Sequence, residues 1–144
     1  MKFKIGKGSS IHLGCKFTAV TNFAMGINST INQYCRIDNR GGVFIGNDVS
    51  ISPSVSLITA DHDIQTTNCT GRQKEILIKD HVFIGSDAMI LPGVVMGTAS
   101  VLGAKSLLTK STVSYGIYNG VPAKFKSERI KDLNYNASYI RWFH

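Results

Sequence analysis

Aromatic residues make up only 9% of this 144-residue chain, and no amphipathic helical run precedes Pro122. The second absence excludes a helical bundle, because a helix that packs on a core needs apolar side chains recurring along one face. No apolar stretch is long enough for a membrane-spanning helix, and no signal-peptide pattern opens the chain, where Met1-Lys2-Phe3-Lys4 leads straight into a repeat. A cytoplasmic protein with a single core is the expectation. The three cysteines are an odd number without metal-ligand spacing, which argues against a disulfide framework. Cys15 and Cys35 fall near small inward positions of the repeat and read as core thiols.

What is present is a hexad. An aliphatic residue returns every six positions at Ile78, Ile84, Ile90, Met96, Leu102 and Leu108. Each is followed four places later by a small or slim residue: Val82, Ala88, Val94, Ser100, Ser106 and Thr112. On an α-helix, six steps of about 100° would leave successive aliphatics roughly 120° out of line, so the repeat forms no helical stripe. An even spacing keeps every sixth side chain on one side of an extended chain, and turns between short strands return each to one axis. The chain reads as an all-β solenoid of stacked short strands.

The first half carries the same signal with two slips of two residues, through Ile5, Ile11, Phe17 and Phe23, then Ile31 and Ile37, then Ile45, Ile51 and Leu57. Gly41 and Gly42 sit at one slip, where a bulging turn uses glycine's freedom at positive φ. Glycine also follows the aliphatic at Gly6, Gly46, Gly85, Gly97 and Gly103, where a coil has to turn its corner. Three hexads per coil give roughly five coils about 4.8 Å apart.

The repeat breaks once, between Leu57 and Ile78, and the interval from Asp61 to Glu75 is polar and irregular. A long loop thrown out of a solenoid marks a site. A second irregular stretch, Tyr115 to Lys124, closes the coil. The expected organisation is a β-helix domain over 1–124 with a loop over 60–76, then a capping tail over 125–144 with a short helix around Ser127 to Leu133.

Ile84-Gly85-Ser86, Ile90-Leu91-Pro92-Gly93-Val94, Leu102-Gly103-Ala104-Lys105-Ser106, Thr109-Lys110 and Gly120-Val121-Pro122-Ala123-Lys124 closely resemble the hexapeptide-repeat acyltransferases. The likeness is strongest to the sugar O-acetyltransferases of the galactoside, maltose and bacterial surface-polysaccharide type, and it covers nearly the whole chain. It implies a left-handed parallel β-helix, acetyl-coenzyme A as co-substrate, a homotrimer with sites between subunits, and a loop histidine as general base, here His62. It further implies that Ser86 and Ala104 offer backbone amides to the pantetheine arm, Ser86 near the thioester, with Thr109 and Lys110 further along and Lys124 at the nucleotide phosphate. Phe83 stands where a tryptophan is common, and Ser127 where a second basic residue is expected, with Lys126 displaced by one. Acceptor contacts in the family come from the early coils across a subunit junction, which nominates Asn32, Asp38 and Asn39.

The chemistry explains the choice of base. A sugar hydroxyl is a poor nucleophile near neutral pH and needs a base within hydrogen-bond reach whose pKa lies near the working pH. Either Asp61 or Asp63 is placed to orient the ring, and Cys69 in the same loop is a candidate acyl carrier without a neighbouring base. His12 and His81 read as solvent-facing structural residues. The related carbonic-anhydrase solenoids hold metal with three histidines, two of them closely spaced, a pattern missing here, so no metal is expected.

The formal charge of +7 is concentrated late: Lys105, Lys110, Lys124, Lys126, Arg129 and Lys131 face only Glu128 in that stretch, which suits the phosphates of coenzyme A. Nucleic-acid binding would need basic residues interleaved with exposed aromatics, and only Tyr139, Trp142 and Phe143 approach that pattern. Hexads that begin at Ile5 suit the compact O-acetyltransferases that decorate O-antigen or capsule sugars. The alternatives are a streptogramin, chloramphenicol or serine acetyltransferase on the same fold, and, from another class, a structural solenoid without catalysis.

Overall fold

In the computed structural model, which describes residues 2–138, the aliphatics of the hexad stand above one another in three ladders. Ile5, Met25, Ile45, Ile78 and Met96 pair in register on one face; Ile11, Ile31, Ile51, Ile84 and Leu102 on the second; Phe17, Ile37, Leu57, Ile90 and Leu108 on the third. Every pairing along the three ladders is parallel, and the result is a left-handed parallel β-helix. An even repeat makes this possible, since a shift by one residue would turn each inward side chain out to solvent.

The first coil holds β1 (Lys4–Ile5), β2 (Ser10–Ile11) and β3 (Lys16–Phe17), and the second β4 (Phe23–Met25), β5 (Thr30–Ile31) and β6 (Arg36–Asp38). The third holds β7 (Val43–Ile45), β8 (Ser50–Ile51) and β9 (Ser56–Ile58), after which β10 (Ala60–Asp63) and β11 (Thr70–Gln73) leave the coil as an antiparallel hairpin. Coil four is β12 (Ile76–Ile78), β13 (Phe83–Ile84) and β14 (Met89–Ile90); coil five is β15 (Val95–Met96), β16 (Val101–Leu102) and β17 (Leu107–Leu108). β18 (Gly116–Gly120) starts a sixth turn on the second face, and β19 (Ala123–Glu128) folds back antiparallel against it.

Inside the prism, twelve large side chains from Phe23 to Leu108 are fully buried, each contributing about 1.5–3 kcal/mol on leaving water. The slim residues of the repeat are buried between the ladders, from Val82 and Ala88 to Ser100, Ser106 and Thr112. The polar ones are satisfied there: Thr112 Oγ1 donates to Ser100 Oγ at 2.8 Å, and Ser106 Oγ accepts from Gly120 N at 3.0 Å.

Three expectations need correction. The first slip falls between Phe17 and Met25, so Met25 and not Phe23 continues the ladder, while Phe23 pairs with Val43 two places earlier on the same strand. Both residues are buried, and burial alone does not distinguish the two registers. The corner itself is turned two residues beyond the glycine position, by residues at positive φ such as Asn28, Asp48, His81 and Ala99 on one edge and Tyr34, Ser54, Asp87 and Lys105 on the next. Glycine after the aliphatic serves close approach: a Cβ on Gly85 would lie 2.5 Å from the Ala104 nitrogen of the coil above. Third, no helix forms around Ser127 to Leu133, because β19 runs to Glu128 and the chain continues without regular structure to Ser138.

The β18–β19 hairpin closes the last coil, with Tyr118 and Ala123 against the core. Beyond it the chain runs back along the second face as a strap. Arg129 Nη1 donates to the carbonyls of His81 (2.9 Å) and Ala99 (3.3 Å), its Nη2 to the Tyr135 hydroxyl (2.6 Å), and Thr30 Oγ1 in the second coil donates to Ala137 O at 2.8 Å. Tyr139, Trp142, Phe143 and His144 lie outside the described residues.

Candidate active site

The polar interval that breaks the repeat is ordered. It leaves the edge between the third and first faces, rooted by Thr59, whose hydroxyl donates to Asp38 O (2.7 Å) and accepts from Gly41 N (2.9 Å). On the hairpin, Asp61 lies opposite Arg72 and His62 opposite Gly71. Asp61 and Arg72 close a two-pronged ion pair at 2.9 and 3.0 Å, and the guanidinium holds the Asp61 carboxyl below its usual range. Asp63 O accepts from Thr66 Oγ1 at 2.8 Å, and the same hydroxyl accepts from Thr70 N at 2.8 Å, which tightens the tip.

The His62 ring is oriented by the main chain. Its Nδ1 lies 2.8 Å from the carbonyl oxygen of Cys69, a residue at φ +49. A carbonyl only accepts, so Nδ1 carries the proton, and the neutral ring keeps its lone pair on Nε2. Neither Asp61 nor Asp63 contacts the ring; both face Arg72, at 2.9 and 3.8 Å. Cys69 serves the ring through its backbone oxygen, and its thiol is exposed. His62 itself is exposed, on a cleft of about 360 Å³ walled by Arg40, Ala60, Asp61, Gly71, Arg72 and Gln73.

Arg40 entered this cleft unannounced by any motif. Register reveals it: Ile37 pairs with Leu57, so the residue three places on, Arg40, stacks beside Ala60 at the root of the hairpin. Its Nε and Nη2 donate to Asp38 Oδ1 and Oδ2, both at 2.8 Å, and those bonds hold the buried Asp38 carboxyl below its ordinary value. Asn39 is fully buried, accepting from Ala19 N at 2.9 Å and donating to Ala19 O (2.9 Å) and Thr21 O (2.5 Å), so its amide fills the wide corner of the first two coils. Asn32 donates to Ile51 O at 2.9 Å and lines a groove of about 510 Å³ with Ser50, Phe83 and Arg129 under the strap.

Ser86 and Ala104 stack one coil apart on the edge between the second and third faces, because Ile84 pairs with Leu102. Among the described residues, neither of their backbone N–H groups has a partner. Thr109 and Lys110 are exposed at the following edge of coil five, and Lys124 is exposed on the terminal hairpin. His62 thus stands on a different edge of the prism from Ser86 and Ala104. His81 is half-buried, with Nε2 3.8 Å from Asp48 and its ring against Tyr135, and His12 Nε2 lies 3.1 Å from Ser10 Oγ. No group of three or more metal-ligating side chains occurs among the described residues.

This coil, with its one extruded hairpin, is matched among known proteins. The chain is 32% identical over 119 residues to a galactoside O-acetyltransferase of Lactococcus lactis, covering 81% of this chain and 56% of that one. It superposes on a galactoside acetyltransferase solved in complex with coenzyme A with a TM-score of 0.83 at 31% identity, covering 88% of this chain and 65% of the other. In sequence and in fold the chain is similar to the hexapeptide-repeat acyltransferases. A further relative, a putative colanic acid biosynthesis acetyltransferase, WcaF, of Escherichia coli, is 28% identical over 128 residues, covering 89% of this chain and 70% of WcaF. The chain spans about half the length of the first curated relatives it matches, 52% and 56%. No protein-family model matches.

Proposed function

We propose that this protein is an acetyl-coenzyme A-dependent O-acetyltransferase acting on a sugar hydroxyl, in a bacterial surface polysaccharide or its precursor. The observation that carries the reading is the His62 ring, fixed at Nδ1 by the Cys69 carbonyl, with Nε2 left to accept, in the wall of an open cleft. Acetyl-coenzyme A supplies an activated acetyl group as a thioester. His62 Nε2 accepts the acceptor's hydroxyl proton as that oxygen bonds to the acetyl carbon. It holds the proton while the carbon–sulfur bond breaks, then returns it to the thiolate. The Nδ1 bond to the carbonyl is kept in the imidazolium formed midway, where both ring nitrogens donate.

The unpartnered amides of Ser86 and Ala104 fit the carbonyl oxygens of a pantetheine arm, and Thr109, Lys110 and Lys124 supply a hydroxyl and two cations further along. Since His62 and the Ser86–Ala104 edge do not converge in one chain, a second copy supplies the missing half, in a homotrimer with three equivalent sites. Asn32 contacts the acceptor from the early coils, and Asp38 and Asn39 act through the groups they hold. No helix among the described residues is long and apolar enough to cross a membrane. WcaF, named for colanic acid biosynthesis, and the galactoside enzymes support sugar as the acceptor class.

The test is release of free coenzyme A thiol from acetyl-coenzyme A over a panel of sugars, nucleotide sugars, serine and streptogramins. Thiol release dependent on a sugar is the expected result. A streptogramin or serine as the sole productive acceptor moves the protein to another branch, and no release with any acceptor, joined to no cofactor binding, refutes the transferase reading.

A further inference from the structure

The His62 cleft contains an anion-recognition group that proton transfer does not require. Two guanidinium groups line the cleft with the ring, and their states differ. Arg72 is occupied by Asp61 and Asp63 and ties the two hairpin strands together. Arg40 is gripped from behind: Asp38, only 3% exposed, takes Nε and Nη2, while the Arg40 side chain is 49% exposed towards the cleft. Among the described residues, its Nη1 donates to nothing. A guanidinium carries five N–H donors in one plane, and the Asp38 fork fixes that plane while leaving the Nη1 donors to a ligand. The buried carboxylate lies behind the guanidinium, so a solute entering the cleft meets the cation first.

We propose that Arg40 recognises an anionic group on the acceptor, so that the preferred acceptor is an acidic sugar carrying a carboxylate or phosphate close to the acetylated hydroxyl. The inference rests on the transferase reading and names its acceptor class. Arg40 shares the cleft with the proposed base, and a sugar ring is small enough for one hydroxyl to meet Nε2 while a substituent two or three carbons away reaches Nη1. Pre-orientation by Asp38 is what separates this residue from the exposed lysines of the coil: a planar donor held in place loses less freedom on binding than a mobile ammonium. Arg40 is a specificity residue in this scheme, and proton transfer remains with His62.

Matched acceptors decide it: glucose, glucuronic acid and glucose 1-phosphate, with the galactose series alongside, assayed by thiol release with wild type, Arg40→Gln and Arg40→Lys. For the wild type, kcat/KM for one anionic series exceeds that for the neutral sugar by about 10–100-fold, the span of a charge-assisted hydrogen bond, mostly through KM. The ratio collapses towards one in Arg40→Gln and is partly kept in Arg40→Lys, and the arm that shows it tells carboxylate from phosphate. Arg40→Gln leaves Asp38 without its cation, so thermal unfolding accompanies the kinetics, and Arg40→Lys carries the comparison if the glutamine variant does not fold. Equal kcat/KM for neutral and anionic sugars, or a preference that survives Arg40→Gln, overturns the inference and leaves the transferase reading standing. Where no acceptor releases thiol and no cofactor binds, the transferase reading fails on its own. The inference is then decided by titrating the uronate and the sugar phosphate while following the His62 ring protons by NMR: shifts in wild type that vanish in Arg40→Gln support it, and their absence in wild type refutes it.

Discussion

Replacing His62 with alanine is expected to lower kcat by about 10²–10⁴-fold, the usual worth of a positioned general base. The same variant keeps its fold and its affinity for acetyl-coenzyme A. The ring is exposed and makes one hydrogen bond, to Cys69 O, so its removal disturbs stability by no more than about 0.5 kcal/mol. Steady-state thiol release, acetyl-coenzyme A titration and thermal unfolding on one preparation separate these effects. A wild-type rate in the variant would assign the base elsewhere. A rate lost together with cofactor binding would make His62 a binding residue.

The second large effect lies in the core. Ile51 is fully buried, stacked between Ile31 below and Ile84 above. Ile51→Ala removes three carbons from a column that cannot collapse without shortening the spacing between strands, and it is expected to cost about 2–5 kcal/mol. That is a large share of the roughly 5–15 kcal/mol that holds a domain together. Because a coil contacts only its neighbours, a gap in the third coil also weakens the root of the His62 hairpin, which leaves from that coil. Denaturant unfolding of Ile51→Ala beside Val20→Ala, a position 87% exposed, checks the assignment. Val20→Ala moves stability by no more than about 0.5 kcal/mol, and a similarly small effect at Ile51 would contradict the ladder.

Much of this arrangement was legible in the residues because the coil is a repeat. An even period of six forces inward positions into register, and fourteen of the fifteen hexad positions read from the sequence lie on the three ladders. The fifteenth, Phe23, was displaced because the wide corner of the first coil admits two extra residues and both Phe23 and Met25 are apolar. Glycine after the aliphatic suggests a corner in the sequence, while the real constraint is the separation between coils, which a one-dimensional pattern does not display. Local composition around Ser127 to Leu133 favours a helix, and pairing with β18 takes Ser127 and Glu128 out of it.

The candidate site was legible in part. Loop position and motif together pointed to His62, but what fixes its ring was hidden, because the partner is a backbone carbonyl and any residue at position 69 carries one. Asp61 and Asp63 were the visible choices, and both are taken by Arg72, which follows only from the antiparallel register of the hairpin. Arg40 is the same lesson: twenty-two residues before His62 in sequence, it shares the cleft because two coils stack there.

In the proposed reaction the site is completed by two copies of the chain, with the base from one and the Ser86–Ala104 edge from the other. Co-expression of His62→Ala with Ala104→Trp, a bulky block on the exposed edge proposed for the cofactor, tests this directly. Each variant alone is expected to be inactive. In randomly assembled oligomers about one quarter of the sites pair an intact base with an intact edge, so the mixture should recover about a quarter of the wild-type rate. No recovery in oligomers shown to contain both variants would contradict the shared site.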